Sequence, residues 1–514
     1  MTPDLITDPA NKPNQPPSTA GMTTKVVKGS MWTLAGQVAP LFVSLVTTPF
    51  VIRMLGAEGY GVLILIGLIP AYLGFADFGM SMASTKFASE AYAEGDLEKE
   101  ARIVRTAALI ALVVSLPVAA GLIAFAFPIL AIFNVPEHFH VEAAMALRIA
   151  AVTLVVNFMC GIFNTPQITR LRMDLNTFIN AGTRILGLIA IPIVLYLGLG
   201  IIGAVTMLLA ASALNLFGQI AVGIGLLPKL RSFSVERSML RPIVQFGLGL
   251  TGASLAFLAL SYLDKGLLPA IAGVKNLAYY TVAFTFAGLF SMFSQSMTQS
   301  LLPAFSRLTT PENSLLGSAL YSRSIRLNAI AILPALAILA VVAKPFITLW
   351  AGQDFGEMSV GPLYILLIGL LFNLPAYLPL CAIISHGRTG VLANLYLLEL
   401  IPYSAALVVL TGAYGIMGTA AAWSLRSLVD SVALFILANR VTGFYAAASE
   451  VKVFWWGGIV LLPPIFLVIV NGEPTIMIVS ILAVCLLAYS VIVWKKLLIS
   501  DETNWILGRL NRLT

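Results

Sequence analysis

Of the 514 residues, 59% are hydrophobic and only 10% charged, against roughly 45–50% apolar and 25% charged in a soluble globular chain. That balance excludes a soluble enzyme or a nucleic-acid binder. It describes an all-α polytopic membrane protein, because a helix satisfies its own backbone in lipid, and the formal charge of +7 then mainly records orientation.

In chain order, residues 1–28 hold five prolines and lack the 7–15-residue apolar core of a signal peptide. They read as a disordered cytoplasmic tail. Apolar runs of about 20 residues, long enough to cross a bilayer, follow at 30–54, 59–83, 103–130, 141–164, 173–198 and 201–227 and make an N-lobe over 29–228. The basic segment KLRSFSVERSMLR (229–241) reads as a cytoplasmic linker. Spans at 242–268, 277–302, 324–349, 360–385, 389–411 and 415–438 make a C-lobe over 242–440. Two additional spans, 451–471 and 474–497, fill 441–498, and 499–514 is a second cytoplasmic tail.

With both termini cytoplasmic, 23 of the 30 Lys and Arg residues fall in tails and inner turns, while the outer turns hold Arg53, Lys265, Lys275 and Lys344. Basic residues collect on the cytoplasmic side of a membrane protein, so about 14 spans and this orientation support one another. No outer turn is long enough for a catalytic domain; the longest, 344–361, has 18 residues.

Landmarks recur at a nearly constant offset. Gly56 matches Gly273 (217 residues on), Asn157 matches Asn373 (216), Arg170 and Asn176 match Arg388 and Asn394 (218), and Gly200 and Gly203 match Gly415 and Gly418 (215). Six spans separate the copies, so they keep one orientation: a parallel repeat, the plan of many alternating-access transporters. Two motifs resemble chemistry and are read as packing. GLGIIG (198–203) and GLGLTG (247–252) fit the dinucleotide pattern but follow no soluble β-strand, so they suit close helix contact or a helix break. The three histidines, His138, His140 and His386, fall in turns without metal-ligand spacing. Cys160, Cys381 and Cys485 lie in apolar runs and read as core residues. No catalytic residue, metal or organic cofactor is expected.

Charges within spans are costly and usually face protein or a watery pathway. Arg184 stands 12 residues beyond Arg172, about 18 Å along a helix, too deep for easy snorkelling. Arg426 is similarly deep in span 12, and an intrahelical pair with Asp430, one turn on, is the alternative to a cavity role. Arg148 lies about two turns from the outer end of span 4, where its stem can snorkel. Glu399, in the middle of span 11, has no basic neighbour at i±3 or i±4 and must be protonated, pair across helices or bind a cation. Asp264 and Lys265 read as a boundary pair near the outer mouth whose side chains point in different directions. Asp77, near the inner end of span 2, is expected to bond local backbone at a Gly-flanked break. Arg184, Arg426 and Arg148 thus line a cationic cavity between the lobes, suited to an anionic substrate. Glu399, Asp430, Asp264, Lys265 and Asp77 are the candidate ion-coupling groups or charge partners.

The segment RMLGAEGYGVLILIGLIPAYLGFADFGMSMASTKFASEAYAEGD (53–96) resembles the first signature of the Wzx-type polysaccharide flippases of the MOP superfamily. LDKGLLPAIAGVKNLAYYTVAFTFAGLFSMFSQSMTQSLLPAFSRL (263–308) resembles the one that opens their second lobe. The resemblance implies fourteen helices in two six-helix lobes plus two extra helices, a MATE-like fold. It also implies translocation of undecaprenyl-pyrophosphate-linked oligosaccharide across the bacterial inner membrane for O-antigen, capsule or exopolysaccharide synthesis. Coupling to H⁺ or Na⁺, contact with membrane lipid, and work alongside a polymerase and glycosyltransferases are implied with it. Flippases of lipid II typically carry arginines in helices 1, 2 and 8, where this chain has only Arg53 at an outer end. The related multidrug and cation antiporters use deep acidic residues, a role that only Glu399 suits well.

Overall fold

The computed structural model describes residues 19–232, 234–309, 312, 314–445, 451–498 and 502–503, and among these every regular element is helical. Most of both expected tails lies outside the described residues, although the first helix starts within the N-terminal one, at Thr19. Eleven helices among the described residues are long and apolar enough to cross a membrane. Two of these contain a sharp break. α1 (Thr19–Tyr72) breaks at Gly56 (φ 67°, ψ −179°), and α14 (Thr389–Thr442) breaks at Gly415 (φ 57°, ψ −133°). Only glycine enters such backbone regions cheaply. With each broken helix taken as two arms and the 33-residue helix Leu240–Ala272 added, the helix set is consistent with fourteen spans.

Contacts divide the chain into two compact units. The first takes residues up to Tyr262 with Gly273–Lys275, and the second takes Leu263–Ala272 with residues from Asn276 onward. α9 (Leu240–Ala272) therefore contributes to both.

In the first unit α1 is followed by a 3₁₀ turn at Leu73–Asp77, α2 (Met80–Ala93), α3 (Leu97–Ala124), α4 (Ala126–Ile132), α5 (His140–Phe163) and the short α6 (Thr165–Thr169). α7 (Met173–Tyr196) and α8 (Gly200–Leu226) complete it. The span expected at 59–83 is thus interrupted. Phe78 (φ 46°) and Gly79 (φ 68°) turn the chain in left-handed conformation before α2. The close approach there needs a second glycine, since a Cβ on Gly247 would lie 2.1 Å from the Phe78 carbonyl oxygen. GLGLTG accordingly begins as a packing contact, and GLGIIG is the turn between α7 and α8, with Gly198 and Gly200 both at positive φ. α7 packs between α1 and α8 around Val51, Ile191, Leu195 and Ala204. Without a hydrophobic force between helices in lipid, small residues and van der Waals packing hold such contacts.

The second unit contains α10 (Val274–Ser306), α11 (Ser314–Ala351), α12 (Gln353–Met358), α13 (Val360–Ser385), α14, α15 (Val451–Asn471) and α16 (Ile476–Ile492). α11 is its hub. Ala329, Leu333, Ala337 and Val341 on α11 form one core with Val453, Leu461 and Val468 of α15 and with Ile478, Leu482 and Tyr489 of α16. The two additional spans are thereby anchored to α11. An apolar cleft of about 780 Å³ opens between α11, α13, α14 and α15. The repeat landmarks share local conformation: Gly56 and Gly273 both take positive φ, as do Gly200 and Gly415. Cys160 and Cys381 are buried, Cys485 is partly buried and all three are free, as expected of core residues.

Candidate functional site

In the first unit, helical spacing puts Asn176, Asn180, Thr183, Arg184 and Gly187 along one side of α7. The last four, with α1, α5 and α8, line a cavity of about 700 Å³. Polar groups reach it from Thr153 and Asn157 on α5 and from Ser212 and Asn215 on α8. Gly67, Gly74 and Gly187 leave it room. An amide ladder runs along its wall: Asn180 donates to Asn176 (2.7 Å), Asn215 donates to Asn180 (2.8 Å), and Gln219 donates to Asn215 (3.2 Å). The ladder fixes these side chains and leaves Arg184 outside its bonds. Arg184 is exposed at the cavity wall, with no hydrogen-bond acceptor or carboxylate partner among the described residues. A guanidinium cannot shed its charge and presents five fixed donors. An unpaired one inside a membrane span therefore makes a ready site for an anion.

In the second unit the break at Gly415 folds the later arm of α14 back along the earlier one. That fold gives Arg426 an ion-pair partner other than Asp430, one turn on. Arg426 Nη1 instead reaches Glu399 Oε2 at 3.5 Å, across the break, and the guanidinium lies 5.2 Å from the Tyr403 ring centre. Glu399 thereby pairs across helices, one of the fates open to it. Asp430 lies within electrostatic reach of both Glu399 and Arg426.

Asp264 and Lys265 are buried, so they are not a boundary pair pointing apart. The long lysine stem bends back to bring Nζ within 3.5 Å of Asp264 and 3.6 Å from the Phe284 ring centre. Asp264 also accepts a 2.7 Å hydrogen bond from Tyr280. Phe284 packs edge-on to Trp423, which adjoins the Arg426 turn.

The other two candidates are placed differently. Arg148 is half-buried with its guanidinium 5.7 Å from the Phe127 ring centre, and it does not line the α7 cavity. Asp77 accepts the Ser81 backbone N–H at 3.3 Å, the local cap expected at a Gly-flanked break.

Two arrangements at the end of the first unit nearest the basic linker escaped sequence reasoning. Glu100 is fully buried and accepts from both Arg170 nitrogens, at 2.6 and 3.0 Å, while the Arg170 guanidinium stacks 4.6 Å from the Tyr92 ring centre. Arg105 donates to the Lys229 carbonyl (3.1 Å), to Ser232 and to Ser234 (2.9 Å), and Arg102 pairs with Glu236 at 3.2 Å. The basic linker is thus strapped to α3. The sequence signal was the mixed-charge run LEKEARIVR that opens that helix.

The family model described as "Polysaccharide biosynthesis protein" matches residues 26–309. The chain belongs to this family. Among relatives of the polysaccharide biosynthesis protein, a "Putative O-antigen transporter" of Shigella flexneri is 21% identical over 427 residues, covering 82% of this chain and 99% of that protein. The "Uncharacterized membrane protein EpsK" of Bacillus subtilis (strain 168) is 22% identical over 424 residues, covering 79% and 81%. Solved structures share the fold. A lipid II flippase MurJ in an inward closed conformation superimposes with TM-score 0.69 at 14% identity, covering 92% of this chain and 99% of that one. An inward-facing MATE multidrug transporter of the MOP superfamily gives 0.59 at 14%, covering 81% and 95%. The expected MATE-like fold is therefore borne out. Within this polysaccharide biosynthesis protein the matched stretch includes Asp77, Arg148, Arg184, Asp264 and Lys265, while Glu399, Arg426 and Asp430 lie beyond it.

Proposed function

We propose that this chain is a flippase that moves undecaprenyl-pyrophosphate-linked oligosaccharide from the inner to the outer leaflet of the bacterial cytoplasmic membrane by alternating access. The observation that carries the reading is Arg184: an unpaired guanidinium facing a cavity of about 700 Å³ inside a polysaccharide biosynthesis protein. A lipid diphosphate brings concentrated negative charge into a region where charge is costly. A guanidinium meets it with short, charge-assisted and often bidentate hydrogen bonds. The amides of Asn157, Asn180 and Asn215 then offer donors and acceptors to sugar hydroxyls, and the polyprenyl chain stays in lipid. No covalent bond is made or broken, so the role is transport and not catalysis. Glycosyltransferases supply the substrate on the inner side and a polymerase consumes it outside.

Deletion of the gene followed by mass spectrometry of lipid extracts tests the proposal. Lipid-linked oligosaccharide accumulates inside the cell and surface polysaccharide falls. Unchanged lipid extracts together with unchanged surface polysaccharide, in a strain lacking any second flippase, would overturn it.

A further inference from the structure

We infer that Glu399 and Asp430 share a single proton in the middle of the second unit, and that this carboxyl pair beside Arg426 is a proton-binding site of the protein. The inference does not depend on what the protein carries. Asp264, Glu399 and Asp430 are exposed by only 1%, 5% and 7%, and the cations near them are Lys265 and Arg426. Lys265 is committed to Asp264, which also accepts from Tyr280. Arg426 is then left to serve both Glu399 and Asp430. Its Nη1 lies 3.5 Å from Glu399, whereas no Lys or Arg nitrogen among the described residues comes within ion-pair distance of Asp430.

Two ionised carboxylates opposite one guanidinium would leave a net negative charge inside the hydrocarbon region, a costly state. Close carboxyl pairs in such sites hold one proton in common. The orphaned atoms agree. Glu399 Oε1 and Asp430 Oδ1 are both buried without a hydrogen-bond partner, so the pair lacks one donor, which a proton between the two groups supplies. The remaining titratable groups close by are phenols. Tyr396 and Tyr403 lie on the same arm of α14, Tyr377 comes from α13 and Tyr280 from α10, and none brings positive charge. A metal ion is disfavoured because Arg426 already occupies the cationic position, and among the described residues no three His, Cys, Asp or Glu side chains converge as a metal site. Loss of the shared proton sets the two carboxylates in competition for Arg426, which links protonation to the hinge at Gly415 that holds the two arms together.

Infrared spectroscopy of the full chain in lipid nanodiscs at neutral pH tests this. The wild-type protein shows a carboxylic-acid C=O band that shifts in D₂O. Glu399→Gln removes the band, since the amide donates to Asp430 in place of the proton and Asp430 stays ionised opposite Arg426. Asp430→Asn removes it for the reciprocal reason, and Arg426→Gln strengthens it. Absence of the band from wild type, its survival in both carboxyl variants, or its loss on adding sodium would overturn the inference. No transported substrate enters the measurement, so such a result leaves the flippase reading standing, and the deletion experiment leaves this one standing. Glu399→Gln keeps the pair's hydrogen bond and decides the matter even where Asp430→Asn does not fold.

Discussion

Arg170 and Arg184 stand close in sequence and do opposite work. Arg170 is spent on structure, since both its terminal nitrogens bond a carboxylate with no solvent exposure. Removing one partner of a buried pair strands the other charge and costs about 3–5 kcal/mol. Arg170→Gln therefore lowers unfolding stability in detergent by that order, visible as a marked fall in the thermal midpoint. Arg184 has no such partner, so Arg184→Ala leaves the midpoint in place and acts on transport. Loss of a charge-assisted contact worth about 1.5–3 kcal/mol predicts a roughly ten- to hundredfold drop in translocation, read as accumulation of lipid-linked glycan at equal protein level. Arg184→Lys recovers part of it, because lysine restores the point charge without the bidentate fork. The depth of Arg184 was legible from its distance to the inner turn. The role of Arg170 was not, because Glu100 lies seventy residues away and pairs through tertiary folding that no local pattern encodes.

At the level of elements, the spans and their breaks were largely written in the sequence, since apolar length and glycine punctuation set both. The repeat even marked the hinges, as Gly200 and Gly415 share positive φ. What stayed hidden was which side chains a hinge brings together. An i,i+4 rule pairs Arg426 with Asp430, but the turn at Gly415 lays span 12 along span 11 and offers Glu399 instead. Likewise the Gly-flanked break expected at Asp77 gave no sign that Phe78, a residue with a Cβ, would take the left-handed conformation. It is held beside the tight Gly79–Gly247 contact. The hinge makes its own prediction. Gly415→Ala forces a Cβ into backbone space that costs of order 1–3 kcal/mol, so stability falls by that amount. The Arg426–Glu399 coupling, measured by a double-mutant cycle, shrinks with it. Gly412→Ala, three residues earlier and with open space around its Cβ position, changes stability by no more than about 1 kcal/mol, in the stabilising direction.

For the whole molecule the question is which face meets the cytoplasm, because a flippase has a direction. Basic residues retained on the cytoplasmic side set the orientation of short-looped proteins. Here the linker is basic at Lys229, Arg231, Arg237 and Arg241, whereas the α12 turn offers Asp354 and Glu357. The rule therefore predicts that the two regions lie on opposite sides, linker inward. Cysteine mapping decides this. In a background with Cys160, Cys381 and Cys485 replaced, Asp354→Cys and Ser238→Cys each put a single thiol at an exposed position. A membrane-impermeant maleimide labels the thiol at 354 in intact spheroplasts and the one at 238 only after permeabilisation. The opposite pattern would invert the protein, placing the α3-strapped linker outside and leaving inward loading of the substrate without a cytoplasmic entrance. Labelling of both thiols in intact spheroplasts would show an even number of crossings between them, and one of the three helices that separate them, α9, α10 or α11, would then not span the membrane.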